Sequence, residues 1–90
     1  MGGLGVEKDY DAALRLARRA ADKGDAFGER QMGILFANGW GVPKDEREAA
    51  RWFAKSAARG DEASITNLRE LAAEGVPEAA AALRRLRLAL

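Results

Sequence analysis

The sequence predicts an all-α array of stacked repeats, and three observations carry that prediction. A block of residues recurs 36 positions on: Gly5-Val6-Glu7-Lys8-Asp9, Ala13, Leu16, Ala20-Ala21 and Gly24-Asp25 return as Gly41-Val42-Pro43-Lys44-Asp45, Ala49, Trp52, Ser56-Ala57 and Gly60-Asp61. Self-similarity at such a period marks an array in which each unit buries its apolar face only against its neighbours. Apolar residues fall three and four apart along the chain, and no segment sustains the alternation of a strand. Alanine, leucine, arginine and glutamate dominate the composition, all good helix formers.

The first helix is expected after Asp9 and reaches about Lys23, with Ala13, Leu16, Ala17, Ala20 and Ala21 along one side. Asp9 is its expected N-cap, because a carboxylate there accepts from the free amides of the first turn. Gly24 stops it, and Asp25 caps a second helix over residues 26–38 with Met32, Leu35 and Phe36 facing inward. Two glycines and a proline within Asn38-Gly39-Trp40-Gly41-Val42-Pro43 make that segment a loop. A third helix follows Asp45, carries Ala49, Trp52, Phe53, Ser56 and Ala57 as its inner stripe, and stops at Gly60. Asp61 caps a fourth, with Ile65, Leu68, Leu71 and Ala72 inside and Gly75 at its end. Pro77 suits the first turn of a helix, where its missing amide costs nothing. The last helix then reads 78–90, with Ala79, Ala82, Leu83, Leu86 and Leu90 in one sector and Arg84, Arg85 and Arg87 opposite. Roughly five helices joined by short loops imply antiparallel neighbours.

At 90 residues the chain is expected to form one small domain, 1–90. Fifteen basic side chains against fourteen acidic ones give a net charge of +1, spread evenly along the sequence. That balance argues against partners held by long-range attraction, so neither nucleic acid nor a membrane is expected as one. There is no Cys, which excludes disulfides and thiolate metal sites. No stretch approaches the ~18–20 apolar residues of a membrane span. Met1-Gly2-Gly3-Leu4-Gly5-Val6 has neither a basic region nor an apolar run, so no signal peptide is expected. A soluble chain follows, with the cytoplasm as the favoured compartment.

Catalytic chemistry finds little to work with. Without His or Cys, the usual general base and thiolate nucleophile are missing. Ser56 sits in an alanine slot on an inner stripe, and Asp9, Asp25, Asp45 and Asp61 all stand at helix starts, where capping explains them. Glu46, Glu48, Glu70, Glu74 and Glu78 have no metal-site spacing, and Gly39-Trp40-Gly41 lacks the Lys-Ser/Thr of a phosphate loop. No enzyme activity, cofactor or metal is expected.

The stretch from Gly24 to Gly60 closely resembles the Sel1-like repeat, a helix-turn-helix relative of the tetratricopeptide repeat. Its slots are filled by Gly28, Met32-Gly33, Phe36, Gly39-Trp40-Gly41-Val42, Asp45, Ala49, Trp52, Ser56-Ala57 and Gly60. So many fixed offsets in one unit make the match specific. The resemblance implies a tetratricopeptide-like α-α superhelix of about two repeats. Residues 5–24 read as the second half of a repeat, with Leu16 in the Trp slot, and 25–60 as a complete one. Residues 61–90 read as a degenerate repeat with a C-terminal capping helix, since Arg69 and Ala72 replace its packing glycine and its aromatic. The chain opens in mid-repeat, so either it belongs to a longer array or another molecule covers Ala13, Leu16 and Ala20.

The function implied by the resemblance is a non-catalytic adaptor or scaffold that binds a protein or peptide, as relatives common in bacteria and in eukaryotic membrane-protein quality control do. In such arrays the first helix of each repeat lines the concave face. The candidate contacts are therefore Phe27, Arg30, Ile34 and Asn38 on the second helix, and Thr66, Glu70 and Glu74 on or beside the fourth. Phe27 and Ile34 stand out as apolar where the core does not require it, with Arg30 between them, the kind of anchor that dominates binding energy. The alternative is a structural unit that forms a homodimer through its exposed first helix, where Leu14, Leu16 and the alanines have no obvious cover.

Overall fold

Residues 9–87 are described in a computed structural model of the chain, and five helices follow one another along them. They are α1 (Tyr10–Asp22), α2 (Ala26–Asn38), α3 (Glu46–Ala58), α4 (Glu62–Ala73) and α5 (Pro77–Arg85). No strand occurs among the described residues, so the fold is the all-α array expected. Gly5-Val6-Glu7-Lys8 and Leu90, used in the sequence reading, lie outside the described residues.

Aspartates start three of these helices as expected. The carboxylates of Asp25, Asp45 and Asp61 accept from the amides of Phe27, Glu48 and Ser64 at 2.9, 3.0 and 3.0 Å. Asp9 does not cap. Its backbone is already helical (φ −82°, ψ 0°), whereas capping needs the extended geometry that Asp25, Asp45 and Asp61 adopt. Gly24 and Gly60 finish α1 and α3 with φ of +81° and +97°, a region closed to most side chains. The last helix starts on Pro77 but ends at Arg85, short of the 78–90 expected. Arg87 takes a left-handed φ of 60° and its amide turns back to the Arg84 carbonyl, which breaks the helical ladder.

Each helix packs on the next, and α3 also packs on α5. The result measures 43 × 28 × 18 Å, an elongated stack rather than a ball. The core divides at α3. Trp52 joins Ala17, Ala21, Met32 and Leu35 in one cluster; its neighbour Phe53 joins Leu68, Leu71, Val76 and Leu83 in another. Small residues let the helices approach. A Cβ on Gly33 would sit 2.6 Å from the Phe53 ring, and one on Gly28 would sit 2.5 Å from the Ala20 Cβ. Ser56 is buried in its alanine slot and donates to the Ala26 carbonyl at 2.7 Å, a bond that ties α3 to the start of α2. The loop after α2 is pinned to α1 by Trp40, whose ring stacks on Tyr10 at 5.3 Å and 2°.

The uncovered stripe expected on α1 is narrower than the sequence suggests. Leu14 packs against the Trp52 cluster, so it has cover within the chain. Ala17 and Ala21 are buried against α2. Leu16 and Ala13 remain exposed.

Candidate protein-binding surfaces

Two grooves flank α2, one on each side. The first lies between α2 and α4, with the start of α3 closing it. It encloses about 320 Å³; Phe53, Leu71 and Ala37 contribute its apolar part, and Asn38, Lys44, Glu46, Asn67, Glu70 and Glu74 its polar part. Three carboxylates against one ammonium make it acidic. Four of the seven sequence-predicted residues meet here: Ile34, Asn38, Glu70 and Glu74. Their positions follow from helical geometry. Ile34 and Asn38 are one turn apart on α2, and Glu70 and Glu74 are one turn apart at the end of α4. Asn38 also donates its side-chain amide to the Ile34 carbonyl at 2.9 Å.

Ile34 is not the free apolar residue the sequence suggests, since it packs against the larger core cluster and offers the groove only part of its side chain. Arg30 is committed too. Its Nε donates to Asp61 Oδ2 at 2.9 Å, and its guanidinium lies 5.1 Å from the Phe27 ring centre. The pair joins α2 to the cap of α4, and only 23% of the Arg30 side chain is exposed. Asp61 is held below the usual carboxylate range. Burial alone pushes it upward, but the nearby Ser64 with its amide hydrogen bond, the Arg30 charge and the neighbouring Ser56 outweigh that effect.

Phe27 turns to the second groove. It is 56% exposed and, with Ala13, Leu16, Ala17, Ala20, Gly28, Gln31 and Leu35, lines an apolar space of about 270 Å³ between α1 and α2. Thr66 is exposed on α4 and lines neither groove.

Sequence reasoning missed several participants. Lys44, Glu46 and Asn67 line the acidic groove, yet the first two precede or open a helix, where capping chemistry hides any other role. Glu29 is 3% exposed and receives Arg59 through two bonds of 2.9 and 3.2 Å. Its partner lies thirty residues on, and nothing local announces the pair. The Arg59 guanidinium is held more firmly protonated by the hydrogen bond and charge of Glu29, against a small opposing effect of burial. Among the described residues, no cluster of acidic side chains is arranged to hold a metal. No helix among them is long and apolar enough to cross a membrane.

A family model described as Sel1 repeat matches residues 1–25 and 26–61. The chain is also 35% identical over 69 residues to the chitin synthase regulator SKT5 of Malassezia restricta. That alignment takes in 77% of this chain but 5% of the relative, so the chain spans about one-twentieth of that protein's length. No solved structure matches the chain. The matched repeats, the close-packed glycines at the helix contacts and the all-helical stack converge: the chain belongs to the Sel1 repeat family.

Proposed function

We propose that this chain is a non-catalytic adaptor whose acidic groove between α2 and α4 holds an extended segment of a protein partner. Sel1 repeats are in general protein–protein interaction modules. The observation that carries the reading is the convergence of Ile34, Asn38, Glu70 and Glu74 on one groove from two separate helices. Its chemistry favours a segment with an apolar side chain beside Ile34 and a basic one near Glu70 and Glu74. The absence of His and Cys from the sequence supports a binding role over catalysis. The matched relative is named as a regulator of an enzyme, which suits the same reading. We take 25–60 as the complete repeat, 5–24 as the second half of another and 61–90 as the closing unit.

The test is a capture experiment from the source cell, read by mass spectrometry, with the double variant Glu70→Lys, Glu74→Lys beside Arg84→Ala. We expect partners held by the original protein and by Arg84→Ala, and lost from the double variant. An unchanged partner set in the double variant overturns the groove as the site.

A second reading rests on Leu16, which is 63% exposed in the middle of α1. A homodimer around a two-fold axis would cover it with one self-complementary patch. Sedimentation equilibrium at micromolar concentration separates the readings, because a strict monomer removes the dimer.

A further inference from the structure

The charges of α3 are sorted by face. Glu46 and Phe53, about two turns apart, look into the acidic groove described above. Arg51, Ala54, Lys55 and Ala58, at spacings of three and four, form a different stripe. With Arg85 and Leu86 at the end of α5 they line a third groove, of about 380 Å³. Its floor is aliphatic. Ala54 and Leu86 are half-buried against the larger core cluster and give the rest of their side chains to the groove, while Ala58 is exposed. Its rim is cationic, and no carboxylate lines it. Arg51 is paired from outside the groove by Glu48 at 2.9 Å, with Glu78 at 4.0 Å. Lys55 and Arg85 have no ion-pair partner among the described residues. The Lys55 ammonium lies 4.5 Å from the centre of the buried Trp52 ring, so the core itself positions that charge at the groove.

We infer that the α3–α5 groove docks an acidic segment of a protein partner, with an aliphatic side chain flanked by carboxylates. The aliphatic side chain covers Ala54, Ala58 and Leu86, and the carboxylates meet Lys55 and Arg85. This site lies apart from the acidic groove and calls for the opposite charge, so it does not depend on the reading of that groove. Charge and shape select the occupant. Two unpaired cations beside an apolar floor are both satisfied by an acidic segment, whereas a neutral or basic one satisfies the floor alone. A nucleic acid would find the cations, but no aromatic ring lines the groove for a base to stack on. A second copy fits poorly, because its clustered carboxylates Glu46, Glu70 and Glu74 line a groove of their own, and two hollows do not interlock.

The experiment titrates the intact isotope-labelled chain with the synthetic peptide acetyl-Gly-Glu-Asp-Leu-Asp-Glu-Gly-amide and follows backbone amide chemical shifts. We expect saturable shifts centred on Ala54, Lys55, Ala58 and Leu86, while Asn38, Glu70 and Glu74 stay still. Serine in place of the peptide's leucine weakens binding about tenfold, and Asn and Gln in place of its acidic residues abolish it. Both changes leave the protein untouched, so they report binding and not folding. In the protein, Lys55→Glu and Arg85→Glu each weaken binding about fivefold, since an ion pair becomes a like-charge contact. A peptide with lysines in the acidic positions then binds the double variant and not the original chain. Glu70→Lys with Glu74→Lys leaves binding of the acidic peptide unchanged, so the two sites stand or fall separately. The inference is overturned by a titration that does not saturate, by shifts centred elsewhere, or by binding indifferent to the peptide's leucine and carboxylates. Tighter binding of oligothymidylate to the same residues gives the groove to nucleic acid and overturns it too. So does a sedimenting dimer that Lys55→Glu dissolves, or nuclear Overhauser contacts from Leu88 or Leu90 to Ala54 in the unbound chain.

Discussion

Gly33 stands so close to the Phe53 ring that any side chain must push either the ring or the helix aside. Gly33→Leu is therefore expected to cost about 1–3 kcal/mol or more through overpacking. Arg84 is exposed on α5, and Arg84→Ala is expected to stay within about 0.5 kcal/mol. Urea titrations of both variants check the pair, and matching midpoints would mean the core lies elsewhere. Asp61 gives a second prediction at this scale. Its carboxyl is held below its ordinary value because Ser64, whose amide donates to it, the Arg30 charge and nearby Ser56 prevail over burial. The unfolded chain, with Asp near about 3.9, then binds the proton first as pH falls. The stabilisation is present above that value and is lost as pH drops through the lower folded value. Thermal melts between pH 2 and about 6 should therefore show a shallower acid decline in Asp61→Asn, which keeps a capping side chain. An identical decline would assign the acid sensitivity to other carboxylates.

At the scale of the helix, the caps are not equivalent. Asp45 holds the Glu48 amide at 3.0 Å, so Asp45→Ala is expected to cost about 1 kcal/mol. Asp9 makes no side-chain cap, and Asp9→Ala is expected to stay within about 0.5 kcal/mol. Equal losses from the two substitutions, measured by chemical denaturation, would contradict the difference in backbone geometry between the two starts. The sequence presents all four aspartates alike, each just before a helix. What separates Asp9 is its own φ and ψ, not its residue type. The end of α5 carries the same lesson, because leucines and arginines continue the helical pattern past Arg85 while Arg87 leaves it.

For the whole molecule, the far-ultraviolet circular dichroism spectrum should be mainly helical, and a helix content below about half would contradict the five-helix stack. The stack also decides which surfaces are free. Ile34 and Leu14 look available on a helical wheel, yet each is half taken by the core, Ile34 by the cluster around Phe53 and Leu14 by the one around Trp52. Arg30 looks like an anchor and instead ties α2 to the cap of α4. Leu16 is the reverse case: it occupies the slot that Trp52 fills in buried form, yet it stands exposed.

The sequence by itself determined the fold class, the family, the helix starts at Asp25, Asp45 and Asp61, and the close contact at Gly33. Each of these is written locally, as a period, a capping residue before an apolar run, or a glycine within a repeated pattern. It also brought Ile34, Asn38, Glu70 and Glu74 to attention, since the free face of a helix can be read from spacing. Only the tertiary structure decided that these four share a groove with Lys44, Glu46 and Asn67, and that Phe27 belongs to a different one. It alone paired Glu29 with Arg59 and Arg30 with Asp61, thirty and thirty-one residues apart. The reason is physical. Spacing along a helix fixes the direction in which a side chain points, but what it meets there depends on how neighbouring helices cross, and that is settled by packing across the whole stack.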